Sequence, residues 1–147
     1  MDTLIQPTLS EELQELYLEN KEWLSDILFV EDEVRFLKKV TDQVLLGKIQ
    51  QDDLRQIEMI NESLNVILER RKQLRSLLDL RKHKLEQLLR GSSVAIGVEL
   101  IEEDAAIIVQ IKSLMAAERI RKQELFKLAK QQKLKNRPIG TNKPLKV

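Results

Sequence analysis

The feature that most constrains this chain is the spacing of its apolar residues. In three long stretches, leucine, isoleucine and valine recur at alternating intervals of three and four residues. That spacing puts them on one face of an α-helix, and its persistence over several heptads indicates helices that pack side by side as in a coiled coil. Glycine and proline, which disfavour helix interiors, are scarce between Pro7 and Pro138. The sequence therefore predicts an all-α protein of three long helices.

The boundaries of these helices follow from local signals. Pro7 is tolerated at a helix start, and Thr8 with Glu11 has the spacing of a capping box. Gly47 and Gly91 are predicted to end the first and second helices. The three predicted helices span about residues 9–46, 53–90 and 102–135.

Each predicted helix has its own apolar stripe. The first contains Leu9, Leu13, Leu16, Trp23, Ile27, Val30, Val34, Leu37 and Val44. The second contains Ile57, Ile60, Leu64, Ile67, Leu74, Leu78, Leu85 and Leu88. The third contains Ile107, Ile111, Leu114, Leu125 and Leu128. These residues are the predicted core.

Short connections make neighbouring helices antiparallel, which predicts an elongated up-down-up bundle, coiled-coil-like, that dimerisation can complete. The charge distribution agrees with this order. Acidic residues outnumber basic ones ten to one from Met1 to Glu33, whereas eight basic and three acidic residues lie between Glu69 and Arg90. Opposite charges along a helical seam select its direction. One domain is predicted over residues 8–136, followed by a flexible basic tail over residues 137–147.

Five polar residues fall in phase with the apolar stripes and predict a polar layer in the core. They are Asn20, Arg71, Arg81, Glu118 and Arg121. The antiparallel register places Arg81 near Tyr17 and Asn20. It places Arg71 near Asp26 and near the two members from the third helix. Buried polar residues in such stripes serve mainly to fix the register of packing, and a buried site for a small anion is the alternative.

The sequence contains no pattern typical of a catalytic, metal-binding or cofactor-binding site. There is no cysteine, and the sole histidine, His83, is surrounded by basic residues that disfavour a bound cation. The acidic triplets Glu31–Glu33 and Glu102–Asp104 are predicted to be solvated surface or helix-start charge, because consecutive helical residues point about 100° apart. We therefore expect no enzymatic activity, no cofactor and no metal site.

The connection between the second and third helices has the sequence RGSSVAIGVELIEED, from Arg90 to Asp104. It lacks the lysine of a phosphate-binding loop, and its strand-like alternation has no second strand with which to pair. We expect a helix end at Gly91 and an apolar connection over residues 91–101. This connection is expected to pack over the end of the bundle, either on its own chain or on a partner.

Two apolar surfaces remain outside the predicted core. One is a line on the first helix nearly opposite its stripe, and the other is the segment Ala105–Ala117, which is apolar around its whole circumference. Continuous apolar patches usually mark contact surfaces, so we predict self-association, most simply as a twofold dimer. The candidate interface residues are Leu18, Phe29, Phe36, Ile107, Ile108, Val109 and Met115. Coverage by the connection or by the amino-terminal segment is the alternative.

The segment ELYLENKEWLSDILFVEDEVRFLKK, from Glu15 to Lys39, resembles the opening helix of a group of small, uncharacterised bacterial all-helical proteins. Trp23 with Leu24, then Phe29 and Phe36, carry the resemblance, together with the acidic pair at residues 32–33. The resemblance implies a helical fold. It implies no functional residue, because the group has no established activity.

These observations predict a non-enzymatic helical-bundle protein that acts through protein–protein interaction and forms a homo-oligomer. The alternative is an accessory binder of nucleic acid or of an anionic surface. That binder would use the basic carboxyl-terminal segment and the basic end of the second helix. The chain shows neither a signal-peptide pattern nor an apolar run of about 20 residues, so a cytoplasmic location is expected.

Overall fold

The computed structural model describes the backbone of residues 2–91 and 98–135 and the side chains of residues 11–91, 100 and 102–134. These residues form three α-helices, α1 (Asp2–Leu46), α2 (Gln51–Leu89) and α3 (Val98–Lys135). The helices pack against one another and the described residues contain no strand, which confirms the predicted all-α class. In this part of the chain, no helix combines the length and the apolar character needed to cross a membrane.

The first helix begins earlier than the sequence predicts. α1 starts at Asp2 instead of near residue 9, so Thr8 lies inside the helix and the predicted capping box is wrong. Pro7 has no amide hydrogen, and within the helix it leaves the carbonyl oxygen of Thr3 without its usual donor. A single lost hydrogen bond close to a helix end does not stop the helix, because the residues on both sides continue the backbone pattern.

The third helix also begins earlier, at Val98 instead of residue 102. The physical reason is the burial of Leu100, which is 1% exposed and was not among the predicted core residues. Helical backbone at this position allows Leu100 to pack with Leu13, Leu85 and Leu88 in one apolar cluster. This residue of the predicted connection thus packs on its own chain, whereas residues 92–97 lie outside the described part.

Glycine ends the first two helices, as predicted. The Gly47 amide donates to the carbonyl oxygen of Val44 at 3.3 Å, directly after the last residue of α1. The Gly91 amide donates to the carbonyl oxygen of Leu88 at 3.2 Å, and Gly91 has a φ of 87°. That left-handed conformation strongly favours glycine, since it has no Cβ.

The described core consists almost entirely of the predicted stripes. Its buried apolar residues are Leu13, Trp23, Ile27, Val30, Val34, Leu37, Val44, Ile57, Ile60, Leu64, Ile67, Leu74, Leu78, Leu85, Leu88, Leu100, Ile107, Ile111, Leu114, Leu125 and Leu128. Leu16 is half-buried, and the side chain of Leu9 lies outside the described part. Each fully buried side chain of this kind contributes about 1.5–3 kcal/mol through the hydrophobic effect.

The described residues divide into two compact units. The first unit contains the described residues of Met1–Glu31 and Glu69–Met115, and the second contains those of Asp32–Leu68 and Ala116–Val147. Each unit therefore includes a segment of all three helices. The single domain over residues 8–136 stays a prediction, and the predicted basic tail over residues 137–147 lies outside the described part.

Candidate functional site

A buried arginine of α2, Arg81, occupies a core position in the first unit. Its side chain is fully buried. Nη2 donates to Oδ1 of Asp104 at 2.9 Å, and Nε lies 3.4 Å from Oε1 of Glu103. The guanidinium carbon lies 5.6 Å from the ring centroid of Trp23, within the range of a cation–π contact. Arg81 thus contacts carboxylates of α3 and an aromatic ring of α1.

A carboxyl group of α1, Glu19, joins this cluster through a hydrogen bond with Asp104. Burial, followed by this hydrogen bond and the negative charge of Asp104, raises the pKa of Glu19 to about 7. Glu19 therefore keeps its proton well above the usual range for a glutamate and can donate it to the Asp104 carboxylate. We name Glu19, Arg81, Glu103 and Asp104 the first charge cluster.

Asn20, next to Glu19 in the sequence, is fully buried in the first unit. Its Nδ2 donates to the backbone carbonyl oxygen of Leu78 at 3.0 Å. Its Oδ1 has no hydrogen-bond donor among the described residues. The side chain thus fixes one contact between α1 and α2, at the cost of one unsatisfied acceptor.

The second unit contains a related group of charges, formed by Glu33, Glu118 and Lys122, which we name the second charge cluster. The Lys122 ammonium donates to Oε1 of Glu33 at 2.7 Å. Burial, then a hydrogen bond with Glu33, raises the pKa of Glu118 to about 7. The hydrogen bond from Lys122 lowers the pKa of Glu33. Glu118 thus keeps its proton and donates a hydrogen bond, which the Glu33 carboxylate accepts.

A further ion pair, with little exposure to solvent, lies in the first unit between α1 and α2. Nη1 of Arg71 lies 2.9 Å from Oε2 of Glu31. Arg71 also lines a groove of about 270 Å³ whose other lining residues are Leu24, Ser25, Ile27, Leu28, Arg75 and Asp79. Both arginines of the groove have a carboxylate nearby, since Nε of Arg75 lies 3.9 Å from Oδ2 of Asp79.

The structure divides the predicted polar layer between the two units. Asn20, Arg71 and Arg81 are buried in the first unit, and Glu118 is buried in the second. Arg121 is only half-buried, and its Nη1 lies 3.0 Å from Oε1 of Glu124 within α3. The carboxylate that binds Arg71 is that of Glu31, not the predicted Asp26, whose pKa is raised by burial and by Glu22.

Sequence reasoning missed the carboxyl partners of the buried charges. Glu103 and Asp104 belong to a triplet that the sequence assigned to solvated surface or helix-start charge, yet both contact Arg81. Glu33 belongs to the other triplet, Glu31–Glu33, which the sequence assigned to solvated surface, yet it binds Lys122. Glu19 was not singled out. The available signal was their position, because Glu19 directly precedes Asn20 and Glu33 directly precedes Val34, both of which lie in the predicted stripe. Side chains that flank a helical stripe reach the neighbouring helix.

The predicted interface residues have different environments. Leu18, Phe29 and Phe36 of α1 and Val109 of α3 are exposed by half or more of their surface. Ile108 and Met115 are half-buried. Ile107 is fully buried in the core of the first unit, so it is not available to a partner. The reason is its place in the apolar stripe of α3, which faces the other helices.

An exposed aromatic pair in the second unit was not predicted. The rings of Phe36 and Phe126 have centroids 6.5 Å apart and planes at 74°, an edge-to-face arrangement. Both side chains are at least 40% exposed. The same unit contains a groove of about 320 Å³, lined by Val40, Gln43, Val44, Gly47, Ala129, Gln132 and Lys133. Two exposed phenylalanines in contact form a surface that water solvates poorly.

In the described part of the chain, no three His, Asp or Glu side chains form a group that could hold a metal ion. His83 is exposed. Residues 92–97 of the glycine-containing connection lie outside the described part of the chain. Comparison of the chain with protein-family models, curated protein sequences and solved structures finds no match.

Proposed function

We propose that this chain is a non-enzymatic helical-bundle protein that acts through protein–protein interaction and self-associates. The observation that carries this proposal is the exposed edge-to-face pair of Phe36 and Phe126 in the second unit. Large aromatic side chains are enriched at protein interfaces, and burying them there contributes more than most other contacts. Exposed Leu18 and Phe29 in the first unit support the same proposal.

The proposed fold is an up-down-up bundle, and contacts within each unit support it. In the first unit, Asn20 contacts Leu78 and Glu31 contacts Arg71, so residue numbers rise along α1 as they fall along α2. The second unit pairs Glu33 with Lys122 and the carbonyl of Val44 with Gln132, so numbers rise together along α1 and α3. Antiparallel α1 and α2, with parallel α1 and α3, are the directions expected when short connections join consecutive helices of a bundle.

The resemblance of Glu15–Lys39 to small bacterial helical proteins fits this proposal but adds no activity. A cytoplasmic homodimer with no cofactor is the form that we propose. Dimerisation would complete the bundle by covering the exposed apolar residues of each unit.

The test is the dependence of molecular mass on concentration. Sedimentation velocity of the full chain from about 1 µM to about 100 µM is expected to show a reversible monomer–dimer equilibrium. Replacing the aromatic pair, Phe36→Ala with Phe126→Ala, is expected to weaken the dimer about tenfold or more. Leu80→Ala is the matched control, because Leu80 is 71% exposed on α2, outside the proposed surface.

A monomer at every concentration would contradict the proposal, provided that far-UV circular dichroism shows intact helices. An equal effect of Leu80→Ala and of the aromatic double substitution would also contradict it, since the association would then not depend on this surface.

A second candidate function is the binding of nucleic acid or of an anionic surface. Exposed cations in the second unit favour it, since Arg119, Lys130 and Lys133 of α3 form no ion pair with another described residue. Counterion release makes such binding fall steeply as salt rises. Binding of a labelled DNA duplex that weakens with salt, and that disappears when the chain after Asn136 is removed, would support this candidate instead.

A further inference from the structure

Two lines of exposed residues with opposite charge follow heptad spacing on different helices. The acidic line lies on α1 in the first unit and consists of Glu15, Glu22 and Phe29. The basic line lies on α3 in the second unit and consists of Arg119, Phe126 and Lys133. Residues seven apart on a helix share one face, with a drift of only about 20°. Each line therefore presents one phenylalanine and two like charges on a common face.

The charges of the acidic line have no opposite charge to compensate them. Neither Glu15 nor Glu22 forms an ion pair with another described residue. Lys21 is the one basic residue of the first 33 in the sequence, and its ammonium lies 5.7 Å from the centroid of the Tyr17 ring. Glu22 also lies close enough to Asp26 to raise the pKa of that carboxyl. This face of α1 thus carries an excess of negative charge.

The basic line has the opposite excess. Within the second unit, the two described acidic side chains of α3, Glu118 and Glu124, are already engaged with Glu33 and Arg121 respectively. Arg119 and Lys133 have no ion pair among the described residues. Lys133 also lines the groove of about 320 Å³, and Val40 and Ala129 form apolar parts of its wall. The groove offers space for an aromatic side chain next to a cation.

We propose that the acidic line of one copy of this chain docks on the basic line of a second copy, and that a twofold axis repeats the contact. This proposal rests on the self-association proposed above and names the surfaces that carry it. A second copy is the occupant because the chain itself carries both members of the complementary pair. In an isologous dimer each copy supplies one acidic line and one basic line, so the contact forms twice.

Charge and apolar area have different roles in this contact. The phenylalanines supply the area removed from water, whereas the charges select the partner face and speed encounter. Because the charged residues are exposed, salt screens them, with a Debye length of about 10 Å at 0.1 M. The dimer is therefore expected to weaken as salt rises, without disappearing.

The test is charge reversal with complementation. The double variant E15K/E22K makes the acidic line basic, and R119E/K133E makes the basic line acidic. Each variant alone is expected to dimerise about tenfold or more weakly than the unaltered chain, since every contact becomes repulsive. An equimolar mixture of the two is expected to recover association. In each heterodimer, one contact pairs the two altered lines and the other pairs the two unaltered lines, so opposite charges meet in both. Sedimentation velocity with one variant fluorescently labelled measures the heterodimer directly.

Matched controls carry the same changes of charge on α2. E58K/E62K and R55E/K72E reverse exposed residues of α2, outside both lines. These controls are expected to leave the dimer within about twofold of the unaltered chain. If the unaltered chain dimerises but both double variants dimerise equally well, or the mixture recovers nothing, the docking proposal is wrong and self-association stands.

If the unaltered chain is monomeric throughout, self-association itself is wrong. A monomer that binds a DNA duplex, and loses that binding in R119E/K133E, would assign the basic line to nucleic acid and also overturn the docking proposal. The controls on α2 separate both outcomes from a general effect of net charge.

Discussion

Each charge cluster pairs a carboxyl group of α1 with a carboxyl group of α3, but the proton lies on a different helix in each cluster. Fourteen residues separate Glu19 from Glu33 on α1 and Asp104 from Glu118 on α3. In the first cluster the raised pKa belongs to Glu19 of α1, and in the second it belongs to Glu118 of α3. The cation explains the difference, because Arg81 binds Asp104 and Lys122 binds Glu33. The carboxylate that binds a cation accepts the hydrogen bond, and its neighbour keeps the proton.

The clusters also differ in how deeply the cation is buried. The side chain of Arg81 is fully buried, whereas that of Lys122 is 37% exposed. A buried charge gains much from its partners and loses much without them, while a solvated charge can replace its partner with water. The first cluster is therefore expected to contribute to stability mainly through its cation, and the second mainly through its proton.

The largest expected effect follows removal of the buried cation. Arg81→Ala leaves the Asp104 and Glu103 carboxylates without their partner and opens a cavity beside Trp23, so we expect the free energy of unfolding to fall by about 3–5 kcal/mol. Lys122→Ala should cost clearly less. Urea denaturation at one fixed protein concentration, followed by far-UV circular dichroism, measures both. Fluorescence of Trp23, the sole tryptophan, reports on the first unit.

The double variant with Arg81→Met and Asp104→Asn is the control for the charge. It keeps most of the side-chain volume and removes one of the two stranded carboxylates, that of Asp104, so it should recover part of the loss. The two clusters would not differ as described if Lys122→Ala destabilised the chain as much as Arg81→Ala.

The next largest expected effect is a dependence of stability on pH, caused by the proton that Glu118 keeps in the second charge cluster. The pKa of Glu118 is raised from 4.5 to about 7, so between these values the unfolded chain releases a proton that the folded chain keeps. Stability should therefore fall as pH rises through this window, by on the order of 2 kcal/mol, and level off above it. Glu118→Gln supplies a permanent amide donor to Glu33, so it should remove most of this fall and be more stable than the unaltered chain at about pH 8.

Two further variants sharpen this measurement. Glu19→Gln should act in the same direction but less strongly, because Glu19 is only half-buried and solvent screens it. Glu33→Gln removes the carboxylate that binds Lys122. Because the pKa of Glu33 is lowered, this carboxylate contributes to the free energy of unfolding at neutral pH, and the contribution is lost as pH falls through the lowered pKa. An undiminished fall with pH in Glu118→Gln would show that the proton lies elsewhere.

Helical spacing predicted the core almost residue by residue, but it did not predict the partners of the buried charges. Burial follows from position in the stripe, which is why Arg81 and Glu118 were identified as core residues. Their partners depend on the rotation of α3 against α1 and α2, and a shift of one residue would point Asp104 away from Arg81. The aromatic contact of Phe126 with Phe36 depends on the same rotation.

The helix starts were missed for a different reason. Capping signals describe local preference, and burial of Leu100 outweighs that preference at the start of α3. At the start of α1, one proline costs a single hydrogen bond. The polar layer was predicted as one group, yet its members belong to different units, because periodicity specifies a face of a helix and not which residues contact each other.

The buried amide side chains of the two units donate to backbone carbonyls at different positions along a helix. Nδ2 of Asn20 donates to the carbonyl of Leu78 in the middle of α2, whereas Nε2 of Gln132 donates to the carbonyl of Val44 at 2.8 Å near the end of α1. A carbonyl in a helix interior accepts from the amide four residues on, whereas the carbonyl of Val44 accepts from the backbone only the longer 3.3 Å bond of the Gly47 amide. Asn20→Leu should therefore be neutral or stabilise by up to about 1 kcal/mol, and Gln132→Leu should destabilise by about 1 kcal/mol.

Thermal denaturation of the two leucine variants checks this contrast, and each is the control for the other, since both replace a buried amide with the same apolar side chain. Equal losses of stability would mean that the position of the carbonyl along its helix has no effect.

The smallest expected change in stability follows substitution of the glycines after α1 and α2, and the two glycines should respond differently. Gly91 has a φ of 87°, and a Cβ added there would meet no other atom within 4 Å, so Gly91→Ala tests backbone strain alone. We expect a loss of about 1 kcal/mol. Gly47 follows α1 without a left-handed φ, so Gly47→Ala should be neutral or slightly stabilising, because alanine restricts the unfolded chain. D-Alanine at position 91, introduced by semisynthesis, adopts a positive φ readily and should stabilise the chain. If L- and D-alanine had the same effect there, the left-handed end of α2 would not be populated in solution.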